Sequence, residues 1–83
     1  MKKIIIIGAG AMGSAFAVPC IDNKNDVTIV GTHLEDSLIE NINSNNHMHP
    51  ALKTQLPREI KFERFKKLQN ILKQNIDIIV CGV

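Results

Sequence analysis

Four consecutive isoleucines, residues 4–7, lead directly into Gly8-Ala9-Gly10-Ala11-Met12-Gly13. Residues 2–7 carry a β-branched run with no polar interruption after Lys3, the pattern of a strand buried on both faces, as in a parallel sheet. The three glycines that follow each answer a separate demand. Gly8 permits a tight turn from strand into helix, Gly10 leaves the main chain bare for a ligand, and Gly13 lets the helix lie close to the strand. A helix opening at such a turn offers unpaired N–H groups and about half a positive charge to a phosphate. Alone, a G-x-G-x-x-G is a common turn. Here strand, glycines, helix and second strand arrive in order within about 30 residues, which is the arrangement of a dinucleotide-binding unit.

The rest of the chain continues the alternation. Met12, Ala15, Phe16 and Cys20 fall at helical spacing and predict the inner face of a first helix. Pro19 cannot donate to the carbonyl of Ala15, which predicts a kink or an early last turn. Residues 22–25 read as a polar turn and residues 26–30 as a second strand ending at Gly31. A short helix is expected over residues 35–43, with Leu38, Ile39 and Ile42 on one face, followed by loop over residues 43–50. Residues 59–62 alternate as a short edge strand. Phe65, Leu68, Ile71 and Leu72 predict the inner face of a third helix, with Lys66, Lys67 and Lys73 in water, and residues 76–80 a last buried strand. The order βαβαβαβ predicts an α/β fold: a truncated, partial Rossmann-type doubly wound parallel sheet of four strands, ordered 3-2-1-4 with right-handed crossovers.

Composition narrows the partners. Domains typically hold about 100–150 residues, so 83 residues make one domain at most, and an incomplete one is expected. The formal charge of +2, from 10 basic and 8 acidic residues without a long basic run, argues against nucleic acid and against a membrane surface. A membrane span needs about 20 consecutive apolar residues, and the isoleucine run is broken by glycines long before that. Met1-Lys2-Lys3 before isoleucines imitates a signal peptide, but the glycine spacing has no use there, and a buried strand is the better reading. Cys20 and Cys81 lie far apart with no C-x-x-C, the pattern of free thiols in a reducing cytoplasm. His47 and His49 straddle Met48, but no cysteine or carboxylate nearby completes a metal site, and both read as surface-loop side chains.

The choice of dinucleotide turns on the end of the second strand. An NAD site usually places an acid there, roughly 20 residues after the glycines, for the adenosine ribose hydroxyls. This chain has Val30-Gly31-Thr32-His33, and its first carboxylate, Glu35, comes late. The lack of an acid removes a charge that would repel a 2′-phosphate, and the Thr32 hydroxyl and His33 are able to donate to one. The cofactor is therefore NADP or NAD, with a tilt toward NADP or tolerance of both. A turn hydroxyl or helix cap for Thr32, and a solvated loop side chain for His33, are the competing readings.

Residues 4–13 (I-I-I-I-G-A-G-A-M-G), then Ser14-Ala15, the strand 27–30 with Gly31, His49-Pro50 and the final Ile78-Ile79-Val80-Cys81-Gly82-Val83 resemble NAD(P)-dependent sn-glycerol-3-phosphate dehydrogenase, and archaeal-type members above all. The likeness runs over essentially all 83 residues but covers only an amino-terminal portion of such an enzyme. It implies a two-domain oxidoreductase that reduces dihydroxyacetone phosphate with NAD(P)H, making glycerol 3-phosphate for phospholipid synthesis. Carried over residue by residue, it implies pyrophosphate at Gly8, Gly10, Ala11, Met12 and Gly13, and the adenosine end at Thr32 and His33. Where the family often carries Arg or Lys after the second strand, this chain has Thr32 and His33. The family's catalytic lysines and helical substrate domain lie beyond the residues present.

Residues 1–83 thus read as the amino-terminal part of a dinucleotide-binding domain, with the catalytic domain absent and no catalysis by the chain alone. A strand missing beside residues 76–83 leaves an apolar edge, which predicts marginal stability or association unless a second polypeptide completes the fold. A non-catalytic nucleotide-binding or sensor module, or part of another reductase such as ketopantoate reductase, shares the same opening.

Overall fold

The computed structural model describes residues 1–82; Val83, the last residue of the expected terminal edge, lies outside them. In chain order the elements are β1 (Lys3–Ile7), α1 (Ala11–Asp22), β2 (Asp26–Val30), α2 (Asp36–Ser44), β3 (Met48–His49), β4 (Thr54–Gln55), β5 (Lys61–Glu63), a 3-10 turn (Phe65–Lys67) running into α3 (Leu68–Leu72), and β6 (Ile78–Cys81). Four strands form one parallel sheet in the order β5-β2-β1-β6. Numbered among themselves along the chain, they stand 3-2-1-4, as the alternation predicts. β3 and β4 form a separate antiparallel hairpin.

The isoleucine run sits at the centre because it is apolar on both faces. Ile4 and Ile6 pair with Val27 and Ile29 in register and share one layer with Ala17 of α1 and Ile39 and Ile42 of α2. Ile5 turns to the other face and meets Val30 and Ile71, with Ile7, Leu68 and Ile76 packed around them. Helices therefore cover both faces, α1 and α2 on one and α3 on the other. Leu56, Ile60 and Phe62 extend the first layer beneath the hairpin. At the rim, Arg64 forms an ion pair with Glu40, and Lys61 one with Asp26 at 3.3 Å.

Several expectations need correction. The first helix turns Met12 (86% exposed), Ala15 and Phe16 (48% exposed) outward, and its buried residues are Gly13, Ser14 and Ala17. The cause is close packing: Gly13 must face β1, and helical geometry then brings Ala17 and the partly buried Cys20 and Ile21 in behind it. Pro19 lies inside the helix, which runs three residues further to Asp22, and it leaves only the Ala15 carbonyl without its usual donor. The loop expected at residues 43–50 instead contains the first strand of the hairpin. Phe65 and Leu72 stand at the surface, and α3 buries Ile71 alone. The last strand is not buried either. It is the sheet's edge, and Ile78 and Ile79 are about half exposed.

This packing separates two isoleucines of the same sheet. Ile6→Ala removes a side chain with no solvent exposure and is expected to cost about 2–5 kcal/mol in a urea melt. Ile79→Lys, on the exposed edge, should shift the same melt by no more than about 0.5 kcal/mol.

Candidate dinucleotide-binding site

The glycine turn sits at the carboxyl ends of β1 and β6, where the strand order reverses, the usual ligand position in sheets of this type. Gly8 adopts φ 111°, a conformation that side chains resist, while its N–H still donates to the Val30 carbonyl at 2.8 Å. Gly13 is fixed by proximity: a Cβ there would stand 2.6 Å from the Gly8 carbonyl oxygen. Gly82, which the sequence reading gave no site role, closes the same junction. Its N–H donates to the Ile7 carbonyl at 2.7 Å, and its α-carbon side faces Gly13.

Gly10 differs from these three. A Cβ built on it meets nothing within 4 Å, so the space beside its α-carbon is open. It is the N-cap of α1, without a side-chain cap, and no acidic residue lies in the first turn. The first helical bond runs from the Ser14 N–H to the Gly10 carbonyl at 3.0 Å. The N–H groups of Ala11, Met12 and Gly13 precede it and have no acceptor within the helix. Bare main chain, an uncapped helix start and open space together fit a diphosphate.

At the other end of the site, Thr32 is half-buried and His33 is exposed, its ring edge-on to Phe65 with centroids 5.9 Å apart. The sequence places Glu35 too far along to serve the end of β2. In the fold, a turn closed by the Glu35 N–H on the Thr32 carbonyl at 2.9 Å brings it back. Its Oε1 accepts from the Thr32 N–H at 2.9 Å and from the Ala9 N–H at 3.0 Å. One carboxylate thus ties the glycine turn to the residues after β2. Ala11 and Met12 lie at the helix start beside Gly10, and His33 is directed to Phe65.

His49 was also missed. Read as a surface side chain, it is 1% exposed, and its Nε2 lies 2.9 Å from the Ala9 carbonyl. Its position on the hairpin, 40 residues from Ala9, is a tertiary fact with no local signal. His47 is half-buried and engages the Ile60 carbonyl at 2.8 Å, so the two imidazoles serve different carbonyls. Among the described residues, no three His, Cys, Asp or Glu side chains cluster as metal ligands. An open cavity of about 590 Å³ lined by Asn43, Phe62, Arg64 and Lys67 shares no residue with the glycine turn.

Gly13→Ala should lower the unfolding free energy read from a urea melt by about 1–3 kcal/mol, because the atom that must yield is a backbone oxygen.

A family model described as NAD-dependent glycerol-3-phosphate dehydrogenase N-terminus matches residues 3–83. The chain is 35% identical over 80 residues to an NADP(+)-dependent glycerol-3-phosphate dehydrogenase of Archaeoglobus fulgidus, covering 96% of this chain and 23% of that protein. It is 40% identical over 62 residues to a glycerol-3-phosphate dehydrogenase [NAD(P)+] of Bacillus pumilus, covering 74% of this chain and 17% of that protein. The chain therefore spans less than a quarter of the length of these relatives. The glycine turn at the sheet's switch point and these matches have one source: the chain belongs to the NAD(P)-dependent glycerol-3-phosphate dehydrogenase family and carries its N-terminal dinucleotide-binding part.

Proposed function

We propose that Gly8, Gly10, Ala11, Met12 and Gly13 hold the diphosphate of NAD or NADP, with Thr32 and His33 flanking the adenosine ribose. The observation that carries this is the open space at Gly10 over an uncapped helix start. Residues 1–83 then form the amino-terminal part of a dinucleotide-binding domain, working in the cytoplasm. In the whole protein, this domain would hold the dinucleotide so that its nicotinamide meets dihydroxyacetone phosphate, whose carbonyl carbon would take a hydride and whose oxygen would take a proton from a group outside these residues, giving glycerol 3-phosphate. The bound cofactor supplies the hydride; the residues of this chain bind and orient it.

Further polypeptide, continuous with this chain or separate, supplies the substrate-binding and catalytic groups. The half-exposed Ile78 and Ile79 on the edge strand support a neighbouring strand there. No helix among the described residues is long and apolar enough to cross a membrane.

Fluorescence titration with NADH and NADPH tests the reading, and saturable binding without turnover is expected from this chain. Gly10→Val should abolish binding and leave the urea midpoint unchanged, because the added side chain meets only the space assigned to the diphosphate. Undiminished affinity in that variant would overturn the assignment.

Glu35 bears on the choice of cofactor. Its carboxylate lies beside Thr32, where a 2′-phosphate would meet like charge, while the Thr32 hydroxyl and His33 favour that phosphate. Glu35→Gln keeps an oxygen acceptor for the Ala9 and Thr32 N–H groups and removes the charge. The NADPH-to-NADH affinity ratio should rise several-fold, and an unchanged ratio would place Glu35 outside the adenosine end.

A further inference from the structure

The peptide groups around Ala9 are held by three side chains from three parts of the chain. Glu35 accepts from the Ala9 N–H. Ser14 Oγ donates to the Ala9 carbonyl at 3.1 Å from within α1. The third is the buried imidazole of His49, on the hairpin. Its Nδ1 accepts from the Ala51 N–H at 3.1 Å and faces the Leu52 N–H at 3.4 Å. With Nδ1 occupied as an acceptor, the ring hydrogen is on Nε2, and Nε2 donates to the Ala9 carbonyl.

That carbonyl belongs to the peptide joining Ala9 to Gly10. In a planar trans peptide, the N–H points opposite to the C=O. Drawing the Ala9 oxygen inward therefore turns the Gly10 N–H outward, away from the buried imidazole. Among the described residues, that N–H donates to no protein acceptor. A donor held in place before the ligand arrives costs less ordering on binding than one that must be found.

We infer that His49 is a positioning residue for the diphosphate-binding turn: its Nε2–H fixes the Ala9–Gly10 peptide so that the Gly10 N–H faces the dinucleotide. This rests on the diphosphate reading of the glycine turn. The histidine touches no cofactor and acts through the backbone alone. Its two nitrogens divide the work, Nδ1 ordering residues 51 and 52 and Nε2 ordering the turn.

Two substitutions separate those roles. In His49→Asn the amide oxygen replaces Nδ1 and the donor to Ala9 is lost; in His49→Gln the amide nitrogen replaces Nε2 and the hairpin acceptor is lost. His49→Asn should weaken NADH and NADPH binding by about tenfold, the scale of one hydrogen bond, and should also lower the urea midpoint because the side chain is buried, so binding is read where the variant is folded. His49→Gln should bind within about twofold of wild type while melting earlier. The Gly10 amide resonance should move in the asparagine variant and stay in the glutamine variant, a readout that needs no ligand. Unaltered binding and an unmoved Gly10 resonance in His49→Asn would overturn the inference. If neither variant folds, nitrogen-15 spectra of the wild-type imidazole decide: the Nε2–H tautomer supports the assignment and the Nδ1–H tautomer overturns it. A wild-type chain that binds no dinucleotide overturns the diphosphate reading and this inference together. Normal wild-type binding with an indifferent His49→Asn overturns only the role of His49.

Discussion

The fold and its glycine turn both depend on how closely α1 approaches β1. A methyl group on Gly13 would stand 2.6 Å from the Gly8 carbonyl oxygen, nearer than non-bonded atoms come, so the helix and the turn that ends β1 touch backbone to backbone there. That contact points the Gly13 side of α1 inward and sends Met12 and Phe16 to the surface, against the usual rule that large apolar residues are buried. It also brings the helix start to the ends of the central strands. A larger residue would move the helix away, and the open space beside Gly10 would lose its shape.

Outside that contact, the turn is stabilised by groups that no local pattern gathers. Ala9 carries no functional side chain, yet its N–H and carbonyl are engaged by Glu35, Ser14 and His49. Each satisfies a backbone group of the buried Ala9, where an unpaired N–H or C=O would be costly. The same hydrogen bonds hold the glycine turn in one conformation. The arrangement links the start of α2, the hairpin and α1 through one alanine.

The family assignment fits this geometry and explains its asymmetry. On one side of the sheet, β5 is short, and two of its three residues are the charged Lys61 and Glu63. The other side ends at β6, whose Ile78 and Ile79 are half exposed beside the central strand. Nucleotide-binding folds use that side for the second half of the cofactor site. The residues present belong to the N-terminal dinucleotide-binding part of the family.

Sequence alone determined the strand order, the helices between the strands and the site of the glycine turn. Those follow from β-branched runs, helical spacing and three glycines, all signals carried within a few neighbouring residues. It misjudged the inner face of α1, because Gly13 and Ala17 carry little hydrophobic signal while Met12 and Phe16 carry much. It also read Glu35 as too distant and His49 as solvated. Only the tertiary structure decided those two, since a carboxylate brought back by a turn and an imidazole delivered across 40 residues acquire their partners through chain folding, and hydrogen bonds to backbone atoms leave no mark in the identity of the residue that receives them.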